Sequence, residues 1–345
     1  MARLAGAPGD GAAAPVCAAD GRYGEEERAV SDDLRPPPRW TRVAERGSIL
    51  GLRIVVWCYR LFGRPASLAL VHAIVTYFFL TGRNARAASR AYLRRVASVP
   101  EGAAALGRAP DFWASFLHFR VFAISIFDRI VLWLDREGAL EFEVSGREHF
   151  ARLLTPQRGG IVVGAHLGSF DALRALAEED RRVVNVLMYT RHAPRINALF
   201  RELSPDAHVR VIQADGSVDA VHCIRACIER GELVAMLGDR VEPSDRNRTC
   251  RVPLLGNRVE LPEAPYLLAS LLGCPLFFMV ALREDDARYH VHAEVLAERV
   301  EFPRGERNKA VRELVAAYAG RLEHHTLTAP YQWFNFFDYW HEGSE

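Results

Sequence analysis

Lysine is almost absent: of 44 basic residues in a chain of 345, Lys309 is the only lysine and all the others are arginine. Lys309 stands in the charged stretch Glu306-Arg307-Asn308-Lys309. Imine chemistry that needs a desolvated amine therefore has no residue to run on. A surplus of charge is missing too, because 43 acidic residues leave a formal net charge of +1. No global field draws the chain to nucleic acid. The six cysteines (Cys17, Cys58, Cys223, Cys227, Cys250 and Cys274) form no CxxC pair and no zinc-type spacing. That excludes a disulfide framework and a structural zinc site, and it fits a reducing compartment. No G-x-S-x-G elbow and no glycine-rich phosphate loop occurs, since Ser169 lies in Leu167-Gly168-Ser169-Phe170-Asp171. A secretory pattern is also lacking at the N-terminus, where residues 1–38 are rich in Ala, Gly, Pro and charge. With so few large apolar groups this stretch reads as a disordered tail.

Apolar residues are otherwise plentiful, at 50%. The uncharged run Pro65 to Gly82 is just long enough to cross a bilayer. The apolar stretch before it, Ile49 to Phe62, carries Arg53 and Arg60 and does not span. Arginines crowd both flanks (Arg35, Arg39, Arg42 and Arg46 before; Arg83, Arg86, Arg90, Arg94 and Arg95 after). A single crossing leaves one side poor in arginine. Two helices dipping into a cytoplasmic membrane face are therefore favoured over one span. Arg83, Arg86, Arg90 and Arg94 share a helical face suited either to anionic headgroups or to plain solvent. Phe112 to Leu134 reads as a further long helix, rich in aromatics and interrupted by Arg120, Asp128 and Arg129.

From Gly146 onward strands and helices alternate. Strands are expected at 161–163, 183–188, 209–212, 233–237, 251–255, 276–282 and 289–295, with helices at 171–179, 193–203, 217–230, 263–272 and 307–324. Strands regularly separated by helices specify an α/β fold, a mostly parallel sheet covered by helices on both faces. In such sheets ligands collect at the carboxyl ends of the strands.

His166 sits at such an end, directly after Ile161-Val162-Val163-Gly164-Ala165, and Asp171 follows five residues later. A turn between them can bring the carboxylate onto one imidazole nitrogen and leave the other to take a proton. The alternative is a histidine with a merely structural partner. Gly164 and Gly168 are expected to keep the backbone open for a bulky substrate. His290 and His292 alternate on one strand, but carboxylates are of ordinary density around them, so neither a metal nor a cofactor is expected.

The segment Gly164-Ala165-His166-Leu167-Gly168-Ser169-Phe170-Asp171 resembles the histidine–four residues–acid motif of the late acyltransferases of lipid A biosynthesis and of the wider lysophospholipid acyltransferase group. Further blocks resemble the family in order: Arg230-Gly231-Glu232-Leu233 with Leu237-Gly238-Asp239-Arg240, then Arg251-Val252-Pro253-Leu254-Leu255-Gly256, the helix and turn up to Pro275, and Ala329-Pro330-Tyr331-Gln332-Trp333. The resemblance covers roughly Trp40 to Trp340. It implies a glycerolipid acyltransferase-like fold with N-terminal membrane-associated helices over 39–145 and an acyltransferase catalytic domain over 146–345. It further implies that His166, oriented by Asp171, deprotonates a hydroxyl or amine of a membrane lipid or glycolipid, which attacks the thioester of acyl carrier protein or coenzyme A at the inner membrane. Asp239 matches a family acid that shapes the acceptor pocket. Arg240 is a candidate phosphate or carboxylate contact, with salt bridging to Asp239 or Glu242 as the other reading. Arg191 and Arg195 fall in the loop where the family places arginine.

Two departures bear on the acceptor. Lipid A enzymes usually carry Glu where Asp171 stands. After Trp333 the chain runs Phe334-Asn335-Phe336-Phe337-Asp338-Tyr339-Trp340, where those enzymes have a basic end. That end resembles the variant associated with aryl-polyene-type or other specialised lipid clusters. The acceptor stays open between lipid A, a lysophospholipid and another lipid. A thioesterase and a non-catalytic lipid-binding subunit are the remaining readings, and the intact His166 and Asp171 pair argues against the second.

Overall fold

The computed structural model describes residues 49–134, 140–170, 183–188, 209–213, 217–242, 248–303 and 305–340. The expected tail and the helices expected at 171–179 and 193–203 lie outside these residues, as do Asp171, Arg191 and Arg195.

Helix α1 (Ile49–Thr81) is two helical limbs joined at Gly63, whose φ of 72° and ψ of −168° belong to a region open only to glycine. Pro65, two residues on, withholds an N–H from the ladder and crowds the preceding turn. The sequence Gly63-Arg64-Pro65 thus breaks the apolar stretch where the two runs were separated above. Both limbs pack on α4 (Phe112–Leu134): Val55, Val56 and Val71 are buried with Phe127, Ile130 and Val131. Each such side chain contributes about 1.5–3 kcal/mol of transfer free energy when fully buried. The other faces leave Leu50, Ile54, Trp57, Leu61, Phe62, Tyr77 and Leu80 exposed, with Phe112 and Trp113 at the start of α4. Among the described residues, one helix, Leu50–Thr81, is long and apolar enough to cross a membrane.

Helix α2 (Arg83–Ala97) buries Ser89, Tyr92, Leu93 and Val96 at helical spacing. Its arginine face is not uniform. Arg83 and Arg94 are exposed, whereas Arg86 turns back to donate to the carbonyls of Phe79 and Leu80 and covers the Phe79 ring. Arg86 therefore satisfies the orphan carbonyls at the end of α1, so it is not one of four equivalent headgroup ligands. A short helix, α3 (Pro100–Leu106), joins α2 to α4.

The sheet has seven strands in the order β1-β9-β8-β2-β5-β3-β4. Strands β8 (Leu276–Arg283), β2 (Gly160–Gly164), β5 (Leu233–Leu237), β3 (Val184–Met188) and β4 (Val209–Gln213) run parallel. The hairpin strand β9 (Arg288–Ala297) returns antiparallel to β8, and β1 (Glu141–Ser145) lies parallel to β9 at the edge. A mostly parallel sheet is thus what the alternation of strands and helices specified. Strand β1 joins the sheet although it lies before Gly146, and α5 (Arg147–Leu153) follows it directly.

All residues of β2 are buried, and they divide between two cores. Ile161 and Val163 face one core with Val234, Met236, Phe278 and Val280; Val162 faces the other with Leu233, Ala235, Phe277 and Met279. That division is the period of two expected of a strand covered on both sides. Helices α6 (Val218–Glu229), α7 (Ala264–Leu272) and α8 (Arg307–Thr328) supply Ile224, Ala269, Val315 and Tyr318 to the first core, and α5 supplies Phe150 to the second. A separate hairpin, β6 (Thr249–Leu254) with β7 (Asn257–Pro262), turns on Leu255 and Gly256, both at positive φ. This is the geometry of a two-residue primed turn.

Candidate active site

Strands β2 and β5 are parallel neighbours with Gly164 paired to Leu237. Two residues past that pair, on each strand, stand His166 and Asp239. Their side chains meet: His166 Nδ1 is 2.8 Å from Asp239 Oδ1. The backbone N–H of His166 donates to Asp239 Oδ2 at 3.1 Å, and Trp333 Nε1 donates to the same oxygen at 3.0 Å. Tyr339 donates its hydroxyl to the Asp239 carbonyl oxygen, and Tyr318 donates to that of Gly164.

Asp239 is fully buried, while about a third of the His166 side chain is exposed. Burial alone would raise the Asp239 carboxyl, but the His166 ring, the nearby Arg240 charge and the Trp333 N–H outweigh it and hold the group far below the usual carboxylate range. An ionised Asp239 accepts, so His166 Nδ1 carries the proton and Nε2 keeps its lone pair. Burial pushes the His166 pKa down first, and Arg240 pushes it further, against the opposing charge of Asp239 and its hydrogen bond; Arg129 adds a smaller push downward. The imidazole is consequently neutral at neutral pH, and its outward nitrogen can act as a base.

The loop after His166 is bound to the C-terminal segment and to β8. Phe334 N donates to the His166 carbonyl at 2.8 Å, Gly168 N to Gln332 O at 2.9 Å, and Ser169 N to Ala281 O at 2.8 Å. The Gln332 side chain closes a pair with the Arg283 backbone, accepting from N and donating to O at 2.8 Å each. Gly168 has φ 69°, and a Cβ there would sit 1.9 Å from Ala281 O. The expectation that Gly168 makes room for substrate is therefore corrected: close approach to β8 requires it.

Arg240 is half-buried and held by the protein itself. Its Nη2 donates to Phe334 O and Asn335 Oδ1 at 3.0 Å each, Nε reaches Asn335 Oδ1 at 3.3 Å, and the guanidinium covers the Phe337 ring at 5.1 Å. It pins the aromatic C-terminus beside the histidine. Sequence reasoning gave the orienting role to Asp171 and a pocket-shaping role to Asp239. The described geometry has Asp239 on the imidazole, and Asp171, Arg191 and Arg195 lie outside it. Trp333, Asn335, Gln332 and Arg129 were not singled out as site residues. Only strand register could have signalled Asp239 as the partner of His166.

Among the described residues one grouping brings ligand-type atoms together, Glu143, Glu284 and His290, all within 4.8 Å of one another. Arg288 Nε already lies 3.4 Å from Glu284 Oε2, and Ser145 Oγ lies 2.6 Å from His290 Nε2.

The family model for bacterial lipid A biosynthesis acyltransferases matches residues 47–342. The chain belongs to that family. It is an acyltransferase acting on lipids. No curated protein matches the chain. Among solved structures it is similar to the 1-acyl-sn-glycerophosphate (LPA) acyltransferase PlsC from Thermotoga maritima, at 16% identity over 68% of this chain and 94% of that one, with a TM-score of 0.31.

Proposed function

We propose that the chain transfers a fatty acyl group from an acyl carrier protein or coenzyme A thioester to a hydroxyl or amine of a lipid or glycolipid acceptor, with His166 as general base. The observation that carries this reading is the hydrogen bond from His166 Nδ1 to the buried Asp239 carboxylate, which leaves Nε2 as the free base. Nε2 takes the acceptor proton as the acceptor oxygen or nitrogen bonds to the thioester carbonyl carbon. The tetrahedral intermediate then expels the thiolate, and the imidazolium returns its proton to the leaving sulfur. Asp239 stabilises the transient imidazolium and fixes the ring. Asp171, the acid of the family motif, adds a second carboxylate to the same machinery, and Arg191 and Arg195 serve as contacts for an anionic donor or acceptor.

The reaction takes place at the cytoplasmic face of the inner membrane, on the exposed apolar band of α1 and α4. Trp57, Tyr77 and Trp113 in that band are residue types that settle at headgroup level. The membrane-associated region we propose ends before β1, because β1 belongs to the sheet.

Lipid extracts from a strain lacking the gene, complemented with the wild-type chain or with His166→Gln, provide the test. Mass spectrometry should find one lipid class restored in acylation by the wild type and not by the variant. Equal restoration by both would overturn the base assignment. Free fatty acid in place of an acylated lipid would mark a thioesterase.

A further inference from the structure

A buried polar chain ends on the carboxylate of the candidate active site, and the reaction proposed above does not use it. It begins between α2 and α4. Ser115 Oγ donates to Ser89 Oγ at 2.9 Å, Ser89 Oγ lies 3.0 Å from His118 Nδ1, and His118 Nε2 lies 3.0 Å from the backbone oxygen of Trp333. All three side chains are fully buried. The Trp333 carbonyl only accepts, so His118 must donate from Nε2 and accept at Nδ1 from the Ser89 hydroxyl. Ser115 then donates into Ser89, and every proton in the chain has a fixed place. Trp333, whose backbone receives this chain, donates its indole N–H to Asp239 Oδ2.

We infer that His118 is a positioning residue for acyl transfer: it holds the Trp333 backbone so that the indole N–H fixes the Asp239 carboxylate, which in turn fixes His166. The inference rests on the proposed role of His166. Its geometric basis is that one residue, Trp333, carries both ends of the link. The Trp333 ring is fully buried, wedged against Tyr92, Tyr339 and Trp340, so a shift of its backbone carries the indole with it. Among its described contacts His118 has no ionic partner. Tyr92, Phe334 and Phe336 cover its ring, and burial draws its pKa down to about 4, so it is a neutral donor throughout the working range. Among the described residues, the charged groups acting on His166 include Asp239, Arg240 and Arg129. Among the described residues this polar chain is a hydrogen-bonded path by which the helical region reaches the catalytic pair.

The test follows the imidazole resonances of the full chain in detergent by NMR as pH is varied, with the His166 signal assigned by its loss in His166→Gln. In His118→Ala the carboxylate loosens, its upward pull on His166 weakens, and His166 should titrate at lower pH than in the wild type. Thiol release from an acyl-CoA should fall roughly tenfold with KM little changed. His118→Gln, whose amide can donate to Trp333 and accept from Ser89, should restore both. If His118→Ala does not fold, His118→Phe, which fills the same space among Tyr92, Phe334 and Phe336 but cannot donate to the Trp333 carbonyl, should shift His166 in the same direction. An unchanged His166 titration in a folded His118→Ala or His118→Phe variant would overturn the inference. Full thiol release in His166→Gln would instead overturn the reading of His166 as base and leave the structural link measurable by its titration.

Discussion

His166 and Asp239 are 73 residues apart in sequence, and their side chains meet at 2.8 Å because their strands are parallel neighbours in register. Each stands two residues beyond the paired Gly164 and Leu237, at the carboxyl end of the sheet where the backbones separate and side chains can face a common space. The pair is therefore a product of sheet order, and its chemistry follows from burial of the acid and partial exposure of the base.

Asp239→Asn should keep the shape and lose the function. An asparagine in this position either presents an N–H to Nδ1 or fixes the wrong tautomer, so Nε2 would no longer be a free base. Acyl transfer should fall by about three orders of magnitude or more, as for the equivalent change in other base–acid pairs. Asp171→Ala, measured beside it, separates the two carboxylates: a loss much smaller than that of Asp239→Asn would give the orienting role to Asp239 alone. Comparable kcat/KM in wild type and Asp239→Asn would refute this.

The acid limb of the pH–rate profile should lie below the ordinary histidine range. Base catalysis needs neutral His166, and burial together with Arg240 lowers its pKa, so activity persists to lower pH than for a free imidazole. Replacing Arg240 by Gln removes one downward push, and the limb should move to higher pH. A limb that stays in place, or moves down, would show that Arg240 does not act on His166 through its charge.

Much of this arrangement was legible in the sequence where it is local. The strand at Ile161 to Val163, the helix Phe112–Leu134 and the division of the N-terminal apolar sequence into Ile49–Phe62 and Pro65–Gly82 follow from residue types within a few positions of one another. His166 at a strand end was legible for the same reason. What could not be read were partners set by register and packing. Asp239 reaches His166 only because β5 lies beside β2, and Trp333 and His118 join them across 94 and 215 residues. Gly168 was misread because the atom that excludes a side chain there, Ala281 O, belongs to a distant strand.

Two glycines should separate sterics from backbone strain. Gly168→Ala combines φ 69° with a Cβ 1.9 Å from a backbone oxygen, so the His166 loop must leave β8. Its activity should be largely lost even if the protein folds. Gly63→Ala meets nothing within 4 Å and bears only the cost of its dihedrals, about 1–3 kcal/mol. Chemical denaturation and acyl transfer measured on both should give a modest loss of stability with retained activity for Gly63→Ala. Equal losses of activity in the two variants would show that the Gly63 bend is as tightly coupled to the site as the Gly168 loop.

The exposed apolar band should decide where the enzyme works. Trp57, Leu61 and Phe62 lie on the first limb of α1, Tyr77 and Leu80 on the second, and Phe112 and Trp113 on α4, each 45% exposed or more. Of the eleven large hydrophobic side chains exposed among the described residues, nine lie on α1 and α4. Changing Trp57, Leu61 and Trp113 together to serine removes apolar area without touching the buried contacts of Val55, Val56 or Phe127 that hold the limbs on α4. Co-sedimentation with vesicles containing anionic lipid should then fall at least about tenfold, because interfacial binding scales with the apolar area inserted. Hydrolysis of a water-soluble short-chain acyl thioester should be unchanged. Unaltered sedimentation would mean that the band faces something other than a bilayer, and loss of the soluble activity would mean that these side chains serve the site itself.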